Sequence, residues 1–282
     1  MKRVEVIAET ASCHDGSLDK ALRLIGTAKG LGASTVKFQF WSNPDQLADL
    51  RHVGPDYRDI YRRYAMPEAW LPVLAGEATA HGLEFLCTAF LIEDLPIVAP
   101  YIRRWKVSSF EASDTEFFRA VMTYERPILV STGMHSREDV EHLFRMVSSH
   151  QSAVTLLHCT SAYPCPPSAA NLAMLLGQQH VRAYARWASH VWEREDNMWG
   201  FSDHTRSPLA GAVAVGAGAR VVEFHLRLYD TDTNNPDFAV SRSPGEARIY
   251  VENIRQAEVL MGDGEKRVMP EEGPMLAYKR QG

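Results

Sequence analysis

A (β/α)8 TIM barrel, an α/β fold of eight parallel strands each followed by a helix, is what the sequence predicts, on three observations. Short β-branched runs alternate with longer helix-like segments along nearly the whole chain, and that alternation implies a parallel sheet with right-handed crossovers. Eight such units can be counted, which favours a closed barrel over an open doubly wound sheet. The chain has 282 residues, close to the ~250 of one such barrel. Residues 1–265 are assigned to the barrel and 266–282 to a C-terminal tail.

The elements follow in order. Residues 4–8 read as the first strand, and 18–31 as a helix with Leu22, Leu24, Ile25 and Ala28 on its apolar side. Residues 35–40 form the second strand. The stretch 42–64, dense in Asp, Arg and Tyr, reads as a long polar loop. Residues 66–81 are helical, with Pro67 suited to a first turn. A strand at 83–87 precedes a short helix at 92–101, despite Pro96. After a strand at 103–107, Asp114 caps a helix running to 124. A strand at 127–131 is followed by a helix opened by Ser136, whose S-x-x-D spacing is a capping pattern. The last units are a strand at 153–158 with a helix near 169–179, a strand at 198–202 with a helix at 209–215, and a strand at 220–225 with a helix at 245–260. Residues 182–197 interrupt this rhythm with an extra amphipathic stretch carrying Trp187 and Trp192. It reads as a surface helix on the barrel or, more pointedly, as a lid or docking helix.

Composition excludes several classes of function. Thirty Lys and Arg against thirty-five Asp and Glu leave a formal charge of −5, poorly suited to nucleic acid binding through phosphate neutralisation. No run approaches the ~20 apolar residues of a membrane helix, and no signal-peptide core follows the N-terminus. Cys13, Cys87, Cys159 and Cys165 show no C-x-x-C or zinc-ribbon spacing and read as free thiols of a reducing compartment. A cytoplasmic protein is expected. The first strand is followed by no G-x-G-x-x-G, and no phosphate-binding G-x-x-x-x-G-K-[ST] occurs, which weakens nucleotide-binding readings.

A barrel carries its chemistry at the C-terminal ends of its strands. Those ends hold Glu9; Lys37 and Gln39; Thr88; Lys106, Ser109 and Glu111; Ser131; His158, Thr160, Ser161 and Tyr163; Ser202, Asp203 and His204; and Glu223 and His225. A lysine in an apolar strand is costly unless paired or bound to an anion. Two of them, Lys37 and Lys106, with hydroxyls at neighbouring strand ends, point to a phosphorylated or carboxylated ligand. His204 and His225 end consecutive strands and so should be neighbours, either as hydrogen-bonded barrel histidines or as a divalent-metal pair.

These strings, in this order, resemble the N-acetylneuraminate (sialic acid) synthase family, which includes synthases of related nonulosonic acids. The match runs from AETASCHDGSLDKALRLI through VKFQF, CTAF, KVSSFEASD, ILVSTGM, LLHCTSAYPCP and GFSDHT to VVEFHLRL and SRSPGEARIYVENIR, roughly residues 3–260. The resemblance implies a barrel enzyme that condenses phosphoenolpyruvate with an aldehyde sugar, releasing phosphate and giving a 2-keto-3-deoxy acid. It implies a divalent ion, foremost Mn2+ with Mg2+ or Co2+ as substitutes, held by His204 and His225. It implies phosphoenolpyruvate on Lys37, Thr88, Lys106, Ser109, Ser131, Ser161 and Ser202, and the acceptor on Gln39, Tyr163 and Asp237. Glu111, Glu9, Lys37, Gln39 and Tyr163 are its candidates for catalysis, with Glu111 handling protons at the reacting centre.

The chain also departs from the family pattern. The usual member carries a small antifreeze-like domain after the barrel, and here the sequence stops near the linker. Sugar recognition by that domain, and the domain-swapped dimer, are therefore not expected; any homodimer should be of another kind. Phe224 replaces the basic residue common before the second histidine, and residues 182–197 look inserted. A shifted acceptor preference is expected from these differences. Two other readings remain: a metal-dependent pyruvate aldolase on the same barrel, and a catalytically retired barrel acting as a binding partner.

Overall fold

The computed structural model describes residues 3–147, 150–176 and 198–280; the amphipathic stretch at 182–197 lies outside the described residues. Eight parallel strands form one sheet: β1 Glu5–Glu9, β2 Thr35–Phe40, β3 Glu84–Ala89, β4 Trp105–Val107, β5 Ile128–Ser131, β6 Val154–Cys159, β7 Met198–Asp203 and β8 Val221–His225. The hydrogen-bonded order is β3-β2-β1-β8-β7-β6-β5-β4, so the first and last strands pair, and β3 and β4 lie against each other at the two remaining edges. This is the barrel expected from the alternation.

Strand periodicity sorts the side chains into two cores, because successive residues point to opposite faces. Val6, Ala8, Val36, Phe38, Phe40, Phe85 and Phe224 face outward and are buried in the large cluster between sheet and helices. Ile7, Leu86, Leu129, Leu157 and Val221 face inward and form a separate buried cluster across the barrel. Gly200 belongs to that layer: a Cβ there would lie 2.5 Å from both Leu157 Cδ2 and the Val221 carbonyl. Below this plug the N-terminal end is closed by ions. Arg104 donates to Glu5 and to Glu84 Oε1 (2.9 Å), while Thr35 Oγ1 donates to Glu5 Oε1 at 2.9 Å.

Helix boundaries follow their caps. Ser17 caps Leu18–Gly30, Asp114 Oδ1 accepts from the Glu116 and Phe117 amides at the start of Thr115–Met122, and Ser243 with Glu246 forms a capping box on Pro244–Met261, each satisfying amides that the first turn leaves free. The 92–101 segment is broken into Ile92–Asp94, Leu95–Val98 and Ala99–Tyr101, as its two prolines require. The expected loop at 42–64 is corrected: it forms two helices, Pro44–Leu50 and Pro55–Tyr64. Asn43 Oδ1 accepts from the Gln46 amide at 3.1 Å, and each helix has a proline in its first turn, where the missing N–H costs nothing. Residues 262–280 are exposed throughout, with Pro270–Tyr278 in 3-10 turns. Among the described residues no helix is long and apolar enough to cross a membrane, and all four cysteines are free and buried.

Candidate active site

The inward-facing residues one layer above the apolar plug are charged. Lys37 Nζ contacts Glu9 and lies 3.3 Å from Glu223 Oε2; Lys106 Nζ lies 3.8 Å from Glu223 Oε1. Lys106 donates to Ser131 Oγ at 2.8 Å, and Ser202 Oγ donates to Glu223 Oε1 at 3.0 Å. All four charged residues are buried. Such groups are tolerated only because opposite charges and hydroxyls compensate the lost hydration. Burial and its neighbours divide them. Burial works against the charge on Lys37, but Glu223 and Glu9 outweigh it and hold its pKa above the usual lysine range. Burial, with Lys37 alongside, brings Lys106 down to about 8 against the pull of Glu223. Burial would raise Glu223, yet the two lysines bring it down to about 2, while Glu9 is raised by burial.

Small hydroxyl residues surround this cluster. Thr88 Oγ1 and Ser161 Oγ are buried without a hydrogen-bond partner. Ser109 Oγ accepts from the Gly133 amide at 2.9 Å. Gly133 is required by space: a Cβ there would collide with Ser161 Oγ and lie 3.0 Å from Ser109 Oγ and 3.2 Å from Cys159 Sγ. Of the hydroxyls expected to hold an anion, Ser131 bonds Lys106, Ser202 bonds Glu223, Ser109 and Ser161 meet at Gly133, and Thr88 is paired with Gln39 across β2 and β3.

His204 and His225 are neighbours, their ring centroids 5.2 Å apart. Tyr163 lies over His204 at 4.1 Å and 6.0 Å from His225. His204 Nδ1 is 2.9 Å from the Thr160 carbonyl; since a carbonyl only accepts, Nδ1 carries the proton and Nε2 keeps its lone pair. Burial, reinforced by His225, lowers the His204 pKa to about 4, and burial also lowers that of His225. Both rings are therefore neutral at pH 7, the state that binds metals. His225 Nδ1 is buried without a hydrogen bond and lies 3.8 Å from Asp237 Oδ1. Among the described residues no group of three or more His, Cys, Asp and Glu is arranged to hold a metal ion. Two neutral imidazoles, one with an orphaned buried nitrogen, do suit a divalent transition ion whose other positions go to water or substrate oxygen.

Asp237 accepts from the Ser12 amide at 3.1 Å and from Ser12 Oγ at 2.5 Å, which fixes it beside His225. Gln39 is half-buried, two residues above Lys37 on the same face. Glu111 lies beyond β4 and is held by Ser108 Oγ and by Arg51, whose Nη2 is 2.5 Å from Glu111 Oε1. Arg51 comes from the 42–64 segment. Its guanidinium sits 4.6 Å from the Phe90 ring centroid and 4.8 Å from that of Phe110.

One expectation is corrected. Phe224 does not line the site: its ring packs 5.3 Å from Tyr250 in the outer core, so its identity does not touch the acceptor. A buried cation stands nearby in Arg242, which donates to Asp203 Oδ2 at 2.8 Å. Sequence reasoning gave no role to Glu223, Cys159, Gly133, Arg51 or Arg242. For Glu223 and Cys159 the period-two alternation would have sufficed, since each shares its strand's inward parity with an assigned site residue or a core leucine. His158, in contrast, faces away and lies 2.9 Å from the Ala170 carbonyl.

Residues 24–266 match the NeuB family. Pseudaminic acid synthase of Campylobacter jejuni (serotype O:23/36, strain 81-176) is 31% identical over 276 residues, covering 93% of this chain and 76% of that protein. N,N'-diacetyllegionaminic acid synthase of Legionella pneumophila is 28% identical over 293 residues, covering 98% of this chain and 78% of that one. The crystal structure of N-acetylneuraminic acid (sialic acid) synthetase from Leptospira borgpetersenii, in complex with citrate, superposes with a TM-score of 0.85 at 22% identity, covering 98% of this chain and 91% of that one. That likeness shows a shared fold.

Proposed function

The chain belongs to the NeuB family, and from that premise we propose that it joins phosphoenolpyruvate to a sugar aldehyde, giving a 2-keto-3-deoxy, nonulosonic-type acid and phosphate. The observation that carries this reading is the pair Lys37 and Lys106 with its surrounding hydroxyls, at the floor of a well whose wall holds two neutral histidines. A trianion of phosphate and carboxylate needs such a floor. Cations and preset hydroxyl dipoles stabilise it without reorganising during the reaction.

In this reading Lys37, Lys106, Ser109, Ser131 and Ser202 hold phosphoenolpyruvate, and Thr88 and Ser161 supply the hydroxyls that now lack partners. Gln39, Tyr163 and Asp237 hold the acceptor above it. His204 and His225 would hold a divalent ion, Mn2+ foremost, which when bound polarises the aldehyde oxygen and orients a water. Phosphoenolpyruvate C3 attacks the aldehyde carbon, forming the C–C bond and leaving positive charge at C2. Water adds at C2 and loses a proton. The tetrahedral centre then collapses to the ketone as phosphate departs with the remaining hydroxyl proton, while the former aldehyde oxygen takes up the proton that the water lost. Glu111, held by Arg51 and Ser108, would handle these proton transfers. Glu9 and Glu223 keep both lysines oriented.

The test is a screen of aldoses and N-acyl amino sugars with phosphoenolpyruvate and Mn2+, following phosphate release and product mass. One phosphate per condensed product is expected. Condensation with no phosphate released would instead indicate an aldolase, and phosphoenolpyruvate failing to bind at all would overturn the reading.

A further inference from the structure

The two histidines stand at the ends of different strands, and a single buried side chain outside the well ties those ends together. Arg242 is 2% exposed. Its Nη2 donates to Asp203 Oδ2 at 2.8 Å, to the Thr205 carbonyl at 2.9 Å and to the Ser207 carbonyl at 3.1 Å. Asp203 Oδ1 in turn accepts from the Thr205 amide at 2.7 Å. The turn that carries His204 is thus wrapped around one carboxylate and one guanidinium. The backbone of Arg242 grips the other side: its amide donates to the His225 carbonyl at 2.8 Å, and its carbonyl accepts from the Arg227 amide at 3.0 Å. The guanidinium carbon lies over the Tyr250 ring, 4.0 Å from its centroid, a desolvated cation–π contact.

We propose that Arg242 is a positioning residue that sets the spacing of the His204–His225 pair through Asp203. It touches neither ring. Groups behind a ligand commonly change metal affinity ten- to a hundredfold when removed, because they fix where the ligand atom points. The register of the sheet adds a second handle. Asp203 is paired directly with Phe224 across β7 and β8, on the outer face, and the Phe224 ring centroid is 5.9 Å from the Arg242 guanidinium carbon. A cation placed at residue 224 would reach the same carboxylate from the neighbouring strand. The position of the charge beside Asp203 is therefore what matters, rather than the loop that delivers it.

This inference rests on the reading of His204 and His225 as the metal pair, and the experiment separates the two. The variants are Arg242→Leu and the exchange Phe224→Arg with Arg242→Leu. For each, Mn2+ affinity and metal-free phosphoenolpyruvate affinity are measured by calorimetry, and amide exchange at Thr205 and Leu226 by NMR. Arg242→Leu should weaken Mn2+ binding about tenfold or more, leave phosphoenolpyruvate affinity within about twofold of the parent, and speed exchange at Thr205. The exchanged pair should restore both Mn2+ affinity and protection. A folded Arg242→Leu with parental Mn2+ affinity and protection overturns the proposal. So does an exchanged variant that fails to fold or to recover, since position 224 would then not supply the cation. If the parent itself takes up no Mn2+, the metal reading falls, and the exchange rates at Thr205 alone decide Arg242.

Discussion

Raising the pH from 7.5 to 9.5 should weaken phosphoenolpyruvate binding by discharging Lys106. Burial, aided by Lys37, brings this lysine to about 8, while Lys37 remains charged through the same interval because Glu223 and Glu9 raise it. With a midpoint of 8, the protonated share of Lys106 in the free protein falls from about three quarters at pH 7.5 to about 3% at pH 9.5. If the trianion binds only the charged form, affinity drops about 25-fold, or about 2 kcal/mol. The ligand's own phosphate is already doubly ionised there, since its second ionisation lies near pH 6. Binding at pH 8.5 should draw in about three quarters of a proton, visible as a dependence of the calorimetric heat on buffer ionisation enthalpy. The titrations are run without divalent ion. The unliganded protein should respond in the opposite sense. Lys106 has a folded-state pKa below its ordinary 10.5, so from about pH 8 to 10.5 the unfolded chain binds more protons and folding gains stability as pH rises. A dissociation constant flat within twofold from pH 7.5 to 9.5, with no proton uptake, would refute the reasoning. Lys106→Met should bind weakly and lose the pH dependence.

Three further outcomes follow from contacts already described. Gly133→Ala should cost about 1–3 kcal/mol in urea unfolding and abolish phosphoenolpyruvate binding, because the added methyl meets Ser161, Ser109 and Cys159; parental affinity would contradict the packing. His204→Ala and His225→Ala should each remove Mn2+ binding and activity while circular dichroism shows an intact barrel, and full activity in either would refute the metal pair. Arg51→Leu should lower kcat about tenfold or more, by releasing Glu111 from its geometry, with KM for phosphoenolpyruvate within twofold. An unchanged kcat would show that Glu111 needs no such anchor.

Much of the site was legible because a barrel ties function to a countable position. Lys37, Lys106, Ser131, Ser202 and His225 could be placed from strand ends alone, and in the structure all five are buried, with His225 two residues above Glu223 on β8. Parity was the signal left unused. Counting by twos from His225 selects Glu223 and rejects Phe224, which explains both the overlooked hub of the charge cluster and the residue wrongly credited with substrate preference. The 42–64 segment failed for a different reason. Its charged side chains hide the helical pattern, and the start signals, Asn43 before Pro44 and Gly54 before Pro55, had to be weighed against that polarity. Arg51 could not have been paired with Glu111 from sequence, because sixty residues separate them and only the packing of those helices over the β4 end joins them. Arg242 was hidden similarly, in a loop that returns to the sheet after β8.

The layer of Ile7, Leu86, Leu129, Leu157 and Val221, with the Arg104 ion cluster beneath it, makes the barrel a shaft with one mouth. Lys37 and Lys106 lie at its floor, 4% and 3% exposed, whereas Tyr163, near the mouth, is 46% exposed. Traffic through such a shaft has an order. Whatever binds the floor must arrive before the molecule seated above it, and must leave after it. For the proposed reaction, phosphoenolpyruvate enters first, the acceptor second, the new sugar acid departs, and phosphate is the last to go. Inorganic phosphate should then compete with phosphoenolpyruvate for the empty protein, and not with the acceptor. The kinetic sequence would be a property of the plug, written by five apolar side chains that touch no substrate.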